Sequence, residues 1–169
     1  MRYFLIGFMG SGKSYWGKRW SEHFGLPLIE LDHEIEKAAG KTIAEIFEKE
    51  GENGFRKLER KILYTFLKQD NYIMSCGGGT PCFFHNMKKM NHKGVTIYLK
   101  SSPELLAERI KGEKGKRPLL KDLSQEGLIS FISNKLEERS YYYSQSIYHL
   151  ETIFLTNDNF ERILRRHGS

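Results

Sequence analysis

Five short apolar runs alternate with longer amphipathic stretches along this chain. The apolar runs are residues 3–6, 28–31, 72–76, 95–99 and 152–155. Each run has the length of a buried strand, and the stretches between them leave room for helices. Because strands that alternate with helices build parallel sheets, we predict an α/β fold of three layers, in which a five-stranded parallel sheet is covered by helices on both faces.

Apolar side chains recur at helical spacing in four of the connecting stretches. These predicted helices cover residues 15–24, 55–67, 128–136 (the start of a longer one) and 160–165. Gly25 and Pro27 close the first of them. Between residues 111 and 125 the chain turns polar, with two glycines and several lysines. We expect a mobile lid in that segment.

Length and charge narrow the class of protein. With 169 residues the chain suits one well-buried domain and is short for two. The formal net charge is +6, but basic residues are scattered among acidic ones. An anionic small-molecule substrate explains that excess as well as a nucleic acid does. Aromatic and basic residues do not interleave as in single-strand binders, so we expect no nucleic-acid partner and assign Trp16, Trp20 and the tyrosines at 141–143 to packing.

The apolar runs are too short to span a membrane, and this bears on where the protein is located. No uncharged apolar run approaches the about 20 residues that span a bilayer, and the first residues already form a predicted strand. We therefore expect no signal peptide, no membrane contact and a cytoplasmic location. Small size and the lack of an evident exposed apolar stripe favour a monomer. Cys76 and Cys82 lack the paired spacing of metal sites, so we interpret them as packing residues, with a reactive thiol as the alternative.

A phosphate-binding loop follows the first predicted strand. The pattern G-x-x-x-x-G-K-[ST] is matched at every fixed position by Gly7, Phe8, Met9, Gly10, Ser11, Gly12, Lys13 and Ser14. Such a loop points backbone N–H groups at phosphate oxygens, and the helix after it adds its positive end. A chance glycine-rich turn is the alternative, but the strand before and the helix after are the context that the motif requires. We predict that the chain binds a nucleoside triphosphate.

The loop assigns roles to two side chains but does not name the acceptor. Lys13 is expected to reach the β and γ phosphates, and Ser14 to offer its hydroxyl to Mg²⁺. Ser75 and Cys76 supply no acidic residue at the end of the third predicted strand, so Mg²⁺ would rest mainly on Ser14, phosphate oxygens and water. A loop so early in a small chain favours a small-metabolite or nucleotide kinase, and the guanine-specifying Asn-Lys-x-Asp run of GTPases is absent.

Further motifs occur in order over nearly the whole chain. They are Glu30-Leu31-Asp32, Gly54-Phe55-Arg56, the triplet Gly77-Gly78-Gly79, Arg117-Pro118-Leu119-Leu120, and Arg139 with Tyr143 four residues later. Together with the phosphate loop, they resemble shikimate kinase. The resemblance implies a P-loop kinase fold in a single kinase domain over residues 1–169. Its parts would be the phosphate loop at 7–14, a shikimate-binding subdomain at 32–60 and the lid at 111–125.

The implied reaction is transfer of the γ-phosphoryl group of ATP to the 3-hydroxyl of shikimate, with one Mg²⁺ per subunit. Asp32 would orient the attacking hydroxyl and accept its proton, although it is also suited to cap a helix that begins at His33. Arg56 and Arg139 would hold the shikimate carboxylate, since a guanidinium meets a carboxylate with two parallel hydrogen bonds. Taken singly, each arginine is also compatible with a solvated helix surface.

The resemblance implies roles for the remaining site residues. The backbone N–H groups of Gly78 and Gly79 would approach the substrate, where a flexible turn is the alternative. Arg117 would close on the transferring phosphate, with Lys116 as a partial substitute and an ordinary basic loop as the alternative.

ATP would contact Gly10, Ser11, Gly12 and Lys13 through its phosphates. Arg109 would stack on adenine beside the loop of Asn157, unless it pairs with Glu104 or Glu108. The chain departs from the family pattern at Glu30, where the family usually has Asp, and at residues 140–142, where its usual proline is missing. A gluconate or nucleotide kinase, and a nucleotide-dependent module without catalysis, are the rival interpretations.

Overall fold

Five parallel strands form one sheet, with helices on both faces, as the hydrophobic pattern predicts. The computed structural model describes residues 1–112, 120 and 122–168. Most of the predicted lid, including Lys116 and Arg117, therefore lies outside the described residues. The strands are β1 (Arg2–Ile6), β2 (Leu28–Glu30), β3 (Tyr72–Ser75), β4 (Val95–Lys100) and β5 (Tyr148–Glu151). The helices are α1 (Lys13–Phe24), α2 (Leu31–Ala39), α3 (Ile43–Phe66), α4 (Asn86–Lys93), α5 (Pro103–Lys111), α6 (Gln125–Tyr143) and α7 (Asn157–His167).

The order of strands across the sheet is β2-β3-β1-β4-β5. β1 lies at the centre, where Tyr3 is opposite Ile73 of β3 on one side and Val95 of β4 on the other. All pairs are parallel, so the carboxyl ends of the strands share one edge. After β1 the chain adds β2 and β3 on one side of it, and then crosses to add β4 on the other side. In open α/β sheets, ligands bind at the point where the strand order reverses in this way.

The predicted fifth strand at residues 152–155 is wrong. The strand instead covers Tyr148–Glu151, and Thr152–Phe154 forms a single 3-10 turn with Ile153 and Phe154 exposed. β5 is an edge strand that pairs only with β4 within the described residues. Its side chains alternate between half-buried and exposed positions. The apolar run next to it gave the stronger signal but has no strand to pair with.

The four predicted helices are confirmed, and the described residues contain three more, α2, α4 and α5. Of these, the sequence analysis raised only α2, as an alternative that begins at His33. The three helices have 9, 8 and 9 residues, so each offers few turns in which a periodic pattern can show. α3 begins at Ile43 and not at residue 55. Thr42 and Glu45 form a capping box at this start. Its two halves meet at Gly51, whose φ of 68° and ψ of −178° interrupt the helical backbone. That interruption explains why the sequence pattern shows only the second half.

Two apolar layers bury the sheet. One packs the β1 and β3 side chains Phe4, Ile6 and Met74 against α2, α3 and α4, and the other packs Tyr3, Leu5 and Ile73 against α1 and α7. In the second layer, the rings of Trp20 and Phe160 stack with centroids 4.6 Å apart. The expectation that Trp20 is a packing residue is confirmed. Every described helix is too short or too polar to cross a membrane.

Candidate active site

The loops that follow β1, β2 and β3 open into one cavity of about 550 Å³. Of the residues predicted to form the site, the cavity is lined by Gly10, Gly12, Lys13, Ser14, Asp32, Arg56, Gly78, Gly79, Arg109 and Arg139. These residues are far apart in sequence and meet because parallel strands end at the same edge. Ser11 is buried in the phosphate loop, Asn157 does not line the cavity, and Arg117 lies outside the described residues.

The phosphate loop has a backbone that requires glycine. Gly10 and Gly12 have φ angles of 79° and 91°, in the left-handed region that other residues rarely adopt. A Cβ on Gly10 would also lie 2.9 Å from Cγ1 of Ile110. Ser11 donates its backbone N–H to the Phe8 carbonyl over 3.1 Å, which closes the turn. Its hydroxyl is buried and has no hydrogen-bond partner among the described residues. These features fit a loop that wraps closely around a bound ligand.

Lys13 is buried at the first position of α1. Its Nζ donates to the carbonyls of Gly7 and Phe8, each over 2.9 Å. Burial disfavours the charged ammonium and lowers the pKa of Lys13 to about 8, against the opposing effect of the Asp32 carboxylate. The cation thus lies at the centre of the loop but lacks a strong anionic partner there.

Oxygen donors gather beside Lys13. The Ser14 hydroxyl donates to Oε2 of Glu30 over 3.1 Å and lies 3.4 Å from the Ser75 hydroxyl. A hydroxyl next to a carboxylate suits the hard, oxygen-preferring Mg²⁺. Within the described residues, no group of three or more histidine, cysteine or acidic side chains forms a metal cage. Any Mg²⁺ here would accordingly depend on ligand phosphates and water as well as on Ser14 and Glu30.

Asp32 borders the cavity from the first turn of α2. The cap of that helix is Glu30, which makes no side-chain capping bond, so the alternative that Asp32 caps a helix from His33 is wrong. A Cβ on Gly77 would lie 3.2 Å from Oδ1 of Asp32, which shows how closely the carboxyl approaches the glycine triplet. Surrounding protein atoms and then the charge of Glu59 raise the pKa of Asp32, while Lys13 opposes them.

A fully buried carboxylate, Glu59, holds Arg56 at the cavity wall. Arg56 Nη1 donates to Glu59 Oε1 over 2.8 Å, and the Thr80 hydroxyl donates to Oε2 over 2.6 Å. The Arg56 guanidinium also lies over the Phe83 ring, 4.4 Å from its centroid. Arg56 is only 8% exposed, so the alternative of a solvated helix residue is wrong. Sequence reasoning missed Glu59 because it stands in a run of charges, although its i, i+3 spacing from Arg56 was a usable signal.

The glycine triplet lies between two guanidinium groups. A Cβ on Gly79 would collide with the Arg56 guanidinium, and one on Gly78 would lie 2.9 Å from Nη1 of Arg139. Arg139 also lies 5.4 Å from the centroid of the Phe8 ring. A side chain at Gly78 or Gly79 would push an arginine out of place.

Without the usual proline, α6 runs unbroken to Tyr143. This puts Tyr143 one turn beyond Arg139 on the same helix face. The Tyr143 hydroxyl donates to the Gly78 carbonyl over 2.6 Å. The expectation that this tyrosine only packs is therefore incomplete.

Arg109 approaches the phosphate loop from α5. Its Nη1 donates to the Gly10 carbonyl over 3.2 Å, and no ion pair with Glu104 or Glu108 is formed within the described part of the chain. Across the loop, Trp16 packs 3.4 Å from a Cβ on Gly12. Asn157 accepts a hydrogen bond from Arg19 Nε over 3.1 Å at the start of α7. Trp16 packs against the apolar core, as expected, whereas sequence reasoning missed the bond between Arg19 and Asn157.

The arrangement suits two anions and a hydroxyl. Glycine backbone, Lys13 and Arg109 surround one end of the cavity, where a chain of phosphates fits. Arg56 and Arg139 flank the other end, where a planar anion such as a carboxylate fits. Asp32 lies between the two ends, where it can orient an acceptor hydroxyl toward a phosphate.

Comparison with known proteins agrees with this geometry. A family model described as shikimate kinase matches residues 9–166. A shikimate kinase from Azobacteroides pseudotrichonymphae is 47% identical over 146 residues, which cover 86% of each chain.

Solved structures give the same result. The crystal structure of shikimate kinase from Bacteroides thetaiotaomicron has a TM-score of 0.90 at 36% identity, covering 98% of this chain and 97% of that one. The shikimate kinase from Acinetobacter baumannii in complex with shikimate has a TM-score of 0.81 at 31% identity, covering 98% of this chain and 91% of that one.

Proposed function

This chain belongs to the shikimate kinase family, and from that premise we propose that its cavity transfers the γ-phosphoryl group of ATP to the 3-hydroxyl of shikimate. The products are shikimate 3-phosphate and ADP, on the pathway to chorismate and the aromatic amino acids. The observation that carries the proposal is the pair of guanidinium groups, Arg56 and Arg139, on either side of the glycine triplet. An acceptor that carries a carboxylate, as shikimate does, has a use for both. Gluconate and nucleoside monophosphates are anions too, and it is membership of the shikimate kinase family that selects shikimate among them.

The nucleotide end belongs to the phosphate loop. Backbone N–H groups of Gly10, Ser11 and Gly12 bind the phosphates, and Lys13 leaves the Gly7 and Phe8 carbonyls to meet the β and γ oxygens. Arg109 stays above Gly10 and stacks on adenine. Asn157 joins the adenine site through the start of α7, because Arg19 ties that residue to α1.

Ser14 and Glu30 would hold one Mg²⁺, Ser14 through its hydroxyl and Glu30 through water. A bound Mg²⁺ neutralises charge on the β and γ phosphates. The 3.1 Å contact between the two side chains supports this pairing. The longer Glu30 side chain, in place of the usual Asp, still reaches Ser14.

The acceptor end positions shikimate. Arg56 and Arg139 bind its carboxylate, and N–H groups of Gly78 and Gly79 approach the ring. Asp32 orients the 3-hydroxyl and takes its proton as the phosphoryl group transfers. The raised pKa of Asp32 makes it a better proton acceptor than an ordinary surface carboxylate. Rate enhancement comes mainly from positioning and electrostatics.

Arg117 is proposed to close over the γ-phosphate from a lid at residues 111–125. A cation that arrives on closure neutralises developing charge and keeps water from taking the phosphoryl group. The Arg117→Ala variant is expected to lose kcat while it keeps its affinity for shikimate.

We also retain the single domain over residues 1–169, the subdomain at 32–60, a cytoplasmic location and a monomer as expectations from the sequence.

A coupled ADP-release assay tests the function. With Mg²⁺ and ATP, purified protein should turn over with shikimate and not with gluconate or nucleoside monophosphates at equal concentration. The Lys13→Met variant is the control for contaminating kinases and should be inactive with every acceptor. Turnover with another acceptor would keep the ATP site and overturn the acceptor assignment. ADP release with none of them would leave only a nucleotide-binding module.

A further inference from the structure

Three consecutive tyrosines end α6, but only one of them faces the cavity wall. Tyr143 is 1% exposed and packs its ring against Tyr98, with centroids 4.9 Å apart. Tyr141 is 71% exposed, and Tyr142 is half-buried. Packing alone explains a buried ring at position 143, but a phenylalanine would fill that role equally well. The hydroxyl therefore needs a separate explanation.

That hydroxyl makes a short hydrogen bond at a sensitive point. It donates to the Gly78 carbonyl over 2.6 Å. Burial raises the pKa of Tyr143 above its ordinary value, so the phenol keeps its proton and remains a donor throughout the working pH range. One turn earlier, the Arg139 guanidinium lies against Gly78 from the same helix. The end of α6 thus contacts this glycine twice.

The peptide between Gly78 and Gly79 has no side chain of its own to anchor it. Thr80 donates its backbone N–H to the Gly77 carbonyl over 3.1 Å and so closes a turn around this peptide. Type I and type II turns share that bond but orient the central peptide in opposite directions, and glycine accepts both, so the turn alone leaves this peptide free to flip. The described residues contain no cis peptide bond, and in a planar trans peptide the C=O and N–H groups point in opposite directions. Fixing the Gly78 carbonyl toward Tyr143 therefore aims the Gly79 N–H away from the Tyr143 hydroxyl. The Arg56 guanidinium lies beside the Cα of the same glycine.

We propose that Tyr143 is a positioning residue for the acceptor: its hydroxyl locks the Gly78–Gly79 peptide so that the Gly79 N–H is presented to the substrate beside Arg56. This inference rests on the proposed function, because it concerns the acceptor end of the same cavity. Tyr143 itself does not touch the reacting atoms. It acts by removing a rotational freedom that substrate binding would otherwise have to restrict.

The Tyr143→Phe variant removes the hydroxyl, and with it the contacts of this oxygen with the Gly78 carbonyl and the Arg139 side chain. The KM for shikimate should rise about tenfold, as expected for one misplaced hydrogen bond. The KM for ATP should stay within about twofold of the wild type, because the phosphate loop does not depend on this peptide, and kcat should change less than the KM for shikimate. Tyr141→Phe and Tyr98→Phe are matched controls, since each removes a tyrosine hydroxyl nearby without touching Gly78. Both should behave as wild type.

Two results would overturn the inference. One is an unchanged KM for shikimate in Tyr143→Phe. The other is a lower Tm with equal losses toward both substrates, which indicates a purely structural role. Wild-type protein that does not turn over with shikimate would instead refute the proposed function, so the two failures are distinguishable.

A second measurement does not depend on the variant folding. In wild-type protein labelled with ¹⁵N, saturation with shikimate should shift the amide resonance of Gly79. The Gly25 amide at the far end of α1 is the internal reference and should not move. A Gly79 amide that does not respond to bound shikimate would contradict the proposed presentation of this N–H.

Discussion

Glu59 shows how one buried side chain can determine the position of another. Its two carboxylate oxygens are used by Arg56 and Thr80. Nε of Arg56 lies 3.5 Å from Oε1 of Glu52, so carboxylates hold the guanidinium from two sides. A buried carboxylate without its partner is costly, so the ion pair is held firmly once the chain has folded. Arg56 is therefore oriented before shikimate arrives, and little side-chain entropy is lost on binding.

Replacement of Arg56 should separate acceptor binding from nucleotide binding. Arg56→Ala is expected to raise the KM for shikimate by at least about a hundredfold, because a hydrogen-bonded charge pair is lost, while ATP still binds. The variant leaves Glu59 buried without its cation, so the Tm should also fall.

Two further variants make the Arg56 test specific. Arg56→Lys keeps the charge and most of the stability but loses the planar guanidinium group. Its KM for shikimate should lie between those of the wild type and of Arg56→Ala. Arg60→Ala removes an exposed arginine of the same helix that lies over Phe84, and it should leave shikimate kinetics unchanged. Steady-state kinetics and thermal melting measure both effects. Normal shikimate kinetics in Arg56→Ala would contradict the acceptor site.

Asp32 illustrates a conflict between activity and stability. Its pKa is raised because nearby protein atoms displace water from the carboxyl and the charge of Glu59 disfavours its ionised form, although the residue keeps an exposed part. A carboxylate whose folded pKa is raised weakens the folded state at neutral pH, where the group is ionised. Asp32→Asn should therefore lower kcat by about 10²–10⁴ and yet leave the Tm equal to or above that of the wild type. A lower Tm together with retained activity would contradict both roles.

Lys13 predicts a pH limit on nucleotide binding. Its pKa is lowered to about 8, so the free protein loses this cation as the pH rises through that value. Below pH 8 the charge is present and phosphates are attracted. Above pH 8 the dissociation constant for ATP should rise by up to about tenfold per pH unit. Calorimetric titrations between pH 6.5 and 9.5 measure this, with the exposed-lysine variant Lys18→Gln as control. ATP affinity that stays constant to pH 9.5 would contradict the prediction.

At the scale of the element, the break in α3 separates two tasks. The half after Gly51 carries Arg56 and Glu59, while the half before it brings Ile43 and Phe47 to the cavity. A straight helix could not direct both sets of side chains into one cavity. The left-handed backbone at Gly51 thus belongs to the construction of the acceptor end.

Gly51→Ala tests this role of the break. No atom lies within 4 Å of a Cβ built at Gly51, so only backbone strain opposes the change. At a φ of 68° that strain costs about 1–3 kcal/mol, and the Tm should fall by several degrees while the KM for shikimate rises. Gly112→Ala is the matched control, because Gly112 also has open space but a φ of −71° that alanine tolerates. Equal Tm values for the two variants would refute the role of strain.

The sequence predicted most of the elements and the residues that meet in the cavity, for identifiable reasons. β1, β3 and β4 lie inside the sheet and show as apolar runs, and so does the half-buried edge strand β2. The other edge strand, β5, alternates between half-buried and exposed positions and does not. The phosphate loop has a fixed local spacing, so its residues could be located without tertiary information. The contact of Glu59 with Thr80 and that of Tyr143 with Gly78 join segments whose proximity only the assembled sheet determines.

At the scale of the whole molecule, cations from four helices meet where the ligands are anionic. The net charge is +6, and cations from α1, α3, α5 and α6 line the cavity together with three carboxylates. Their helices come from both sides of the sheet, so the site depends on the complete fold. Binding of either substrate should consequently stabilise the whole domain against unfolding.

Salt should weaken acceptor binding more than it slows chemistry. Screening reduces the attraction of exposed and partly exposed cations for anions, with a Debye length of about 10 Å at 0.1 M. Raising KCl from 0.05 to 0.5 M is expected to increase the KM for shikimate several-fold, with kcat changed less. Arg139 is half-buried and Arg56 is buried, so salt screens them only in part. High salt should therefore weaken shikimate binding without abolishing it. A KM independent of salt would contradict electrostatic capture of the acceptor.

The hydrogen bonds of Lys13 to its own loop have a consequence for inhibitor design. Any compound that occupies the phosphate loop must compete with two carbonyls for the same ammonium group. A compound confined to the acceptor end, between Arg56 and Arg139, does not have to break the hydrogen bonds of Lys13 to these carbonyls. It also meets donors that are already in place. Small carboxylates directed at the two arginines should accordingly make more efficient starting fragments, per atom, than phosphate mimics directed at the loop.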